Sequence, residues 1–206
     1  MKEKYPKFIS VEGIDGSGKT TLIPFMVKYL EDLGYQVVKT RDPGSTDLGN
    51  ILRGILLNTW MSPMTELKLF DTIRQDMIDS VIIPNVSKGI IVISDRYLDS
   101  SFAYQGYGRG LLKQVEELYK DVLLPDKTIL LDITLEESIK RMKSRNSSTG
   151  EKEDRFESER LQFKSKLYEG YHEQARKNPD RIEKIDASGS IDQVKLNVAS
   201  WLDKYF

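Results

Sequence analysis

Short apolar runs alternate along the chain with longer stretches in which apolar residues recur at a helical period. This alternation is typical of an α/β fold, because helices that connect parallel strands cover both faces of the sheet. Residues 90–93 read Ile-Ile-Val-Ile, a continuous β-branched run that suits a strand buried on both faces. The pattern predicts five strands, at 7–12, 36–40, 90–95, 127–133 and 181–185.

The longer stretches predict helices between these strands. Thr134 is followed three residues later by Glu137, a capping-box pattern that sets one helix start near residue 135. The predicted helices span 19–33, 47–57, 65–88, 111–121, 135–145, 154–178 and 191–205. We therefore predict an α/β fold class, a five-stranded parallel sheet with helices on both faces, in a single domain of residues 1–206.

A small, polar and charged segment at 146–153 separates two of the predicted helices. One interpretation is a solvated surface loop. The arginines around it, Arg141, Arg145 and Arg155, favour a mobile lid at about 144–156 that closes over phosphates. The sequence alone leaves both interpretations open.

The overall charge and composition narrow the choice of partners. The chain has 31 basic and 32 acidic residues, so a polyanionic ligand must be attracted by cations gathered in one cleft. No basic stripe marks a nucleic-acid face. The absence of cysteine excludes disulfides and cysteine-based metal sites. The charged N-terminus and the lack of a long apolar run predict no signal peptide, no membrane partner and a cytoplasmic location.

Residues 13–20 read Gly-Ile-Asp-Gly-Ser-Gly-Lys-Thr and directly follow the first predicted strand. They match the phosphate-binding loop G-x-x-x-x-G-K-[ST] between a strand and a helix. In such a loop, backbone N–H groups turn toward a polyphosphate, Lys19 reaches the β- and γ-phosphates, and the Thr20 hydroxyl holds Mg²⁺. A glycine-rich turn into a helix is the plainer alternative, but the context favours a nucleoside triphosphate site.

Further charged residues follow the carboxyl ends of the predicted strands, where ligands collect in doubly wound sheets. Asp95 ends the third strand and is expected to be a second Mg²⁺ partner, usually through a coordinated water. Arg41, Arg53 and Arg96 are expected to converge on a second anionic group, because guanidinium forks match phosphate oxygens. The alternatives are an Asp95–Arg96 ion pair in a turn and three separate surface arginines.

Three residues suggest a pocket for a base. Phe70 and Arg74 lie one turn apart on a predicted helix, so Phe70 could stack on a base while Arg74 donates to a base carbonyl. Composition alone favours Phe70 as a core residue. Gln105 carries an amide donor and an acceptor, which suits the edge of a pyrimidine.

With these residues in view, the chain resembles the bacterial-type thymidylate kinases, which have a P-loop kinase fold, from about Phe8 to the C-terminus. The resemblance lies in V-E-G-I-D-G-S-G-K-T-T at 11–21, T-R-D-P-G at 40–44, D-R-Y at 95–97, S-S-F-A-Y-Q-G at 100–106 and D-R-F-E at 154–157. It implies transfer of the γ-phosphoryl group from the co-substrate ATP to dTMP, with Mg²⁺ as cofactor. It also suggests a homodimer, formed through the helix predicted at 65–88.

The resemblance implies roles for individual residues. Asp15 would bond the sugar 3′-hydroxyl, Tyr104 would crowd the 2′ position, and Arg141 would lie against adenine. The catalytic residues would be Lys19, Arg96, Arg155 and Asp15, and the metal residues Thr20 and Asp95. The ATP site would comprise Gly13, Asp15, Gly16, Ser17, Gly18, Lys19, Thr20, Thr21 and Arg141. The dTMP site would comprise Asp15, Arg41, Arg53, Phe70, Arg74, Arg96, Ser101, Tyr104 and Gln105.

The source of one catalytic cation differs within that family. Some members carry an arginine in the phosphate loop, at the position of Gly16 here, so the cation must come from the lid. Arg155 is the best match, and Arg145 is a weaker candidate. The family's usual Arg-Glu-Pro-Gly-Gly reads Arg-Asp-Pro-Gly-Ser at 41–45, which puts a direct contact of Asp42 with the metal shell in doubt.

Two other functions remain as alternatives. A deoxynucleoside kinase would need a carboxylate base near a neutral hydroxyl, for which Asp42 is the candidate, but a neutral acceptor needs no arginine cluster. A nucleotide-gated binding protein or GTPase switch is less consistent with the chain, because no Asn-Lys-x-Asp guanine motif occurs.

Overall fold

The computed structural model describes residues 5–149 and 154–206. Five parallel strands form one sheet in the order β2-β3-β1-β4-β5. The predicted α/β fold class is confirmed, and every strand lies within one residue of its predicted bounds. The strands are β1 (Phe8–Glu12), β2 (Val37–Arg41), β3 (Ile91–Asp95), β4 (Lys127–Asp132) and β5 (Ile182–Asp186).

Successive side chains of the central strands enter two different apolar clusters. Phe8 and Val92 belong to one cluster, whereas Ile9 and Ile91 belong to the other. Because neighbouring side chains of a strand point to opposite faces, both faces of the sheet are covered. The helices are α1 (Lys19–Asp32), α2 (Asp47–Asn58), α3 (Pro63–Met77), α4 (Ile83–Val86), α5 (Leu98–Ser101), α6 (Leu112–Leu118), α7 (Leu135–Thr149), α8 (Leu161–Lys177) and α9 (Ile191–Tyr205).

The stretch predicted as one helix at 65–88, with a disturbance at Pro84, is helical from Pro63 to Val86 but is not a single α-helix. Helix α3 gives way to a π-helical segment, Ile78–Ile82, before the short helix α4. Pro84 has no N–H to donate to the carbonyl four residues earlier, and its ring crowds that carbonyl. The wider π-helical turn just before Pro84 accommodates this break.

Residues 98–108 are helical although no helix was predicted there. Helix α5 continues into a π-helical segment, Phe102–Gly108, which packs against α8. The glycines of this segment allow the close packing, since a Cβ on Gly108 would lie 2.6 Å from Cε2 of Phe163. The glycines of this segment therefore provide close contact between helices.

The boundaries around the predicted lid also differ from the prediction. Helix α7 begins at Leu135, where Thr134 Oγ1 accepts from the backbone N–H of Glu137 at 3.2 Å, and it continues to Thr149. An established helix can extend through a few weak helix formers. Helix α8 begins only at Leu161 because Arg160 is extended, with ψ 155°. Residues 150–153 of the predicted lid lie outside the described residues.

Within residues 5–149 and 154–206, every helix is too short or too polar to cross a bilayer.

Candidate active site

The phosphate-binding loop leaves β1 and enters α1, and its glycines have backbone geometries that other residues rarely adopt. Gly13 has φ 142° and Gly16 has φ 79°. A Cβ on Gly16 would lie 2.8 Å from the carbonyl oxygen of Ser138. This position therefore has no room for a side chain, which explains structurally why no arginine stands here.

Lys19 folds over the loop at the start of α1. Its Nζ donates to the carbonyl oxygens of Gly13 at 2.8 Å and Ile14 at 3.1 Å. Burial, together with the positive charge of Arg96, lowers the pKa of Lys19 to about 8. Burial removes the water that stabilises the charged amine of Lys19, and the phosphates of a nucleotide would stabilise that charge instead.

A groove of about 1760 Å³ opens above the loop. Thr20 and Asp95 both line it, from α1 and from the end of β3. A hydroxyl and a carboxylate beside a phosphate site suit Mg²⁺, which keeps several waters and takes few protein ligands. No cluster of three or more metal-ligating side chains occurs in the described part of the chain.

A second pocket of about 540 Å³ adjoins the groove. The residues that line both cavities are Asp15, Asp42, Arg53, Arg96 and Asp154. Two ligands would therefore meet at a junction of carboxylates and guanidinium groups.

Arg96 lies at this junction with an unusual backbone. Its φ of 67° is in the left-handed region, which non-glycine residues adopt at an energetic cost and often at functional sites. Its guanidinium pairs with Asp15 and donates to the carbonyl oxygen of Gly13 at 3.0 Å and the hydroxyl of Tyr171 at 2.7 Å. Although burial opposes it, the charges of Arg96 and Lys19 lower the pKa of Asp15.

Glu12, at the end of β1, binds two residues that follow Arg96 in the chain. Its carboxylate accepts from the backbone N–H of Tyr97 at 2.8 Å and from Ser100 Oγ at 2.6 Å. Ser100 in turn lies 2.7 Å from the Tyr171 hydroxyl that contacts Arg96. Burial and the neighbouring charge of Asp99 raise the pKa of Glu12 to about 7.

Arg74 is fully buried in the wall of the smaller pocket. Its Nε donates to Asp42 at 2.6 Å and its Nη2 to Ser101 Oγ at 2.8 Å. Its Nη1 is buried and makes no hydrogen bond within the described residues. The guanidinium also lies over two aromatic rings, with its Cζ 4.8 Å from the Tyr119 centroid and 5.4 Å from the Tyr97 centroid.

Aromatic residues form the rest of the smaller pocket. Phe70 belongs to the core cluster, as composition favours, and it also lines the pocket, while its stacking on a base stays a prediction. Phe156 packs edge-on against Phe70 and Tyr104, at centroid distances of 6.1 and 5.5 Å. The Tyr104 hydroxyl donates to Asp15 at 3.1 Å.

The remaining predicted arginines occupy different places. Arg41 lines only the groove, whereas Arg53 lines both cavities and donates to the carbonyl oxygen of Pro43 at 3.0 Å. Arg141 lines the groove and a third pocket, beside the turn before α9. It donates to the carbonyl oxygens of Ala187 and Ser188 at 2.9 and 3.1 Å.

Arg155 lines neither the groove nor the smaller pocket. Its Nη1 donates to Glu66 at 2.7 Å and its Nε to the carbonyl oxygen of Leu56 at 3.0 Å. Arg145 does line the groove, and it pairs with Glu157 at 2.5 Å. The structure thus brings Arg145, and not Arg155, to the phosphate side.

Sequence reasoning missed several residues of the site. The buried carboxylates Glu12 and Glu66 hold other site residues, and Asp154 and Phe156 line the smaller pocket. The D-R-F-E string at 154–157 was a usable signal for the last two. Glu12 stands in the V-E-G string at 11–13, but nothing local marked Glu66, because its partners lie far away in sequence.

A phosphate loop between strand and helix, beside an arginine-bordered pocket at the carboxyl edge of a parallel sheet, defines a P-loop nucleotide-binding protein. The family model for thymidylate kinase matches residues 11–198. The chain therefore belongs to the thymidylate kinase family and is a kinase.

Individual relatives agree with this assignment. The thymidylate kinase of Thermoanaerobacter sp. (strain X514) is 41% identical over 205 residues, 97% of this chain and 98% of that relative. That of Syntrophotalea carbinolica is 43% identical over 195 residues, 91% of this chain and 90% of the relative. The crystal structure of thymidylate kinase from Ehrlichia chaffeensis has a TM-score of 0.77 and 31% identity, covering 97% of this chain and all of that one.

Proposed function

We propose that this chain transfers the γ-phosphoryl group of ATP to dTMP, giving dTDP for nucleotide biosynthesis. One observation carries the proposal: the groove at the phosphate loop and the smaller pocket share Arg53, Arg96 and Asp15 at their junction. An acceptor phosphate held there would lie next to the donor phosphate. Membership of the thymidylate kinase family supports dTMP as the acceptor.

The proposed reaction needs no general base. The acceptor phosphate is already ionised at neutral pH, so its oxygen can attack the γ-phosphorus in line. The task of the protein is to bring two anions together and stabilise the charge on the transferred group. Lys19 and the loop amides would hold the donor, and Arg53 and Arg96 the acceptor, with Arg41 lining the groove nearby.

Mg²⁺ would be held through Thr20 and Asp95, and when bound it would neutralise charge on the β- and γ-phosphates. Arg141 would lie against adenine beside the third pocket, which the turn at Ala187 and the start of α9 also line.

The smaller pocket suits a thymine nucleotide. Phe70 offers a ring for stacking, and the unsatisfied Nη1 of Arg74 offers a donor to a base carbonyl. Asp15 would bond the 3′-hydroxyl, and Tyr104 beside it would crowd a 2′-hydroxyl. The Asp42 carboxylate is paired with Arg74, which weighs against its use as the base of a deoxynucleoside kinase.

For the lid arginine we propose Arg145, with Arg155 as the alternative. The support is that Arg145 lines the groove, while Arg155 lines neither cavity and is bound to Glu66 and to the carbonyl oxygen of Leu56. A role for Arg155 at the γ-phosphate would require it to leave both of its partners.

We also propose a homodimer. Leu48, Ile51 and Ile55 are exposed along one face of α2, and Trp60 beyond its end is 83% exposed. These apolar residues, rather than residues 65–88, supply a surface that a second copy could cover. A monomeric mass for the wild type in sedimentation equilibrium would exclude the dimer.

The function is tested by a coupled assay of ADP release with ATP, Mg²⁺ and a panel of acceptors. We expect dTMP to be the best acceptor, with dUMP slower by roughly 10–200-fold because one methyl group is missing. Thymidine, AMP and GMP should give no more than the background rate. Turnover of thymidine at the dTMP rate would instead favour a deoxynucleoside kinase, and acceptor-independent hydrolysis a nucleotide switch.

A further inference from the structure

Glu66 is a fully buried carboxylate in the first turns of α3, outside the cavities described above. Its Oε1 accepts from Gln105 Nε2 at 2.8 Å, and its Oε2 accepts from Arg155 Nη1 at 2.7 Å. Arg109 forms a second ion pair with it at 3.2 Å. Two guanidinium groups thus compensate the charge that burial would otherwise make very costly.

This contact determines which way the Gln105 amide faces. An ionised carboxylate only accepts hydrogen bonds, so the amide must turn its NH₂ group toward Glu66. The amide oxygen of Gln105 is then the group that remains available to accept a hydrogen bond. It accepts no hydrogen bond within residues 5–149 and 154–206, and Gln105 lines the smaller pocket.

The pocket is therefore lined by an acceptor from Gln105 and by the guanidinium of Arg74, whose Nη1 makes no hydrogen bond within the described residues. The imide edge of thymine or uracil is complementary, since its O4 accepts and its N3–H donates. Cytosine has the reverse pattern, with a donor amino group at position 4 and an acceptor at N3. If the amide were turned the other way, its NH₂ group would face N3–H of thymine, and two hydrogen-bond donors would oppose each other.

We propose that Glu66 is a positioning residue that sets base specificity, by holding the Gln105 amide in the one orientation that accepts a hydrogen bond from an imide N–H. This inference rests on the proposed function of the pocket as the acceptor-nucleotide site. Glu66 would thus help to determine specificity although it does not itself touch the substrate.

The test is Glu66→Gln, which keeps the size of the side chain but can donate or accept, and so no longer fixes the amide. We expect the ratio of kcat/KM for dTMP to kcat/KM for dCMP to fall by about tenfold or more. In the variant the Gln105 amide can turn, so a cytosine edge no longer leaves mismatched hydrogen-bonding groups in the site. Glu159→Gln is the matched control. Glu159 binds Arg109 but does not contact Gln105, so its loss should leave the ratio unchanged.

A double-mutant cycle separates positioning from general damage. If Glu66 acts through Gln105, then Glu66→Gln should not change the dTMP-to-dCMP ratio in a Gln105→Leu background. An equal loss of activity with both acceptors, leaving the ratio at the wild-type value, would overturn the inference. Failure of the wild type to phosphorylate dTMP in the same assay would instead overturn the proposed function.

Thermal melting of each variant reports whether it folds. If Glu66→Gln does not fold, Glu66→Asp goes through the same cycle, because it keeps the charge beside Arg109 and Arg155 while moving the carboxylate one methylene from Gln105. The same ratio then decides the outcome.

Discussion

Replacing Arg96 with alanine is expected to lower kcat/KM for dTMP by about 10³-fold or more, with turnover and dTMP affinity both reduced, on the scale of arginine losses in other phosphoryl transfers. Arg96 lines both cavities, so in the proposed reaction its charge would act on the bound acceptor and on the developing transition state. Its loss also leaves Asp15 without its cation and the Gly13 carbonyl without its donor. The KM for ATP should change much less.

Two further variants make this result specific. Arg96→Lys keeps the positive charge but cannot form the planar fork, so we expect it to recover only part of the activity. Arg176→Ala removes an arginine whose side chain is 69% exposed on α8 and should behave as wild type. Steady-state kinetics at saturating ATP, with melting temperatures for each variant, are the measurements. Unchanged constants in Arg96→Ala would remove this residue from the acceptor site.

The part of the site that could be predicted from the sequence depends on local patterns. The strands are marked by apolar runs, and the charged residues that follow them meet at one edge because the strands are parallel. Arg41 and Asp95 are register partners at the ends of β2 and β3. Thr20 reaches the same groove from the first turn of α1, where the phosphate-loop motif places it.

The supporting contacts could not be predicted, because they join distant parts of the chain. Glu12 and Ser100 are 88 residues apart, and Glu66 and Gln105 are 39 apart. No periodicity indicates that an acidic residue in a helix is fully buried, and exposure would have been the ordinary expectation for Glu66. Such carboxylates are recognisable only when the fold shows which donors surround them.

The position of Arg155 shows the same limit for a residue that the sequence predicted to be catalytic. Its sequence string suggested a lid cation, but Glu66 and the end of α2 supply a competing set of acceptors. Arg155 also stacks on Phe156, with its Cζ 4.4 Å from the ring centroid, and Phe156 lines the smaller pocket. Its contacts therefore connect it with the smaller pocket, the proposed acceptor site, rather than with the groove.

This placement leads to opposite kinetic expectations for the two arginines. Arg145→Ala is expected to lower kcat by about 10³-fold with little change in either KM, as for loss of a cation that acts mainly in the transition state. Arg155→Ala should instead raise the KM for dTMP and weaken discrimination against dCMP, because Glu66 loses one of its two guanidinium partners. Lys143→Ala, an exposed cation on the same helix as Arg145, is the control for charge loss near the groove.

Single-turnover measurements with saturating dTMP and ATP isolate the transfer step from binding and product release. A large loss in Arg145→Ala together with a near-normal rate in Arg155→Ala would agree with the arrangement in the structure. The reverse result would mean that lid closure pulls Arg155 away from Glu66 and carries it to the γ-phosphate. In that case the Glu66 contact would be a resting position, and the D-R-F-E string would mark the transition-state cation after all.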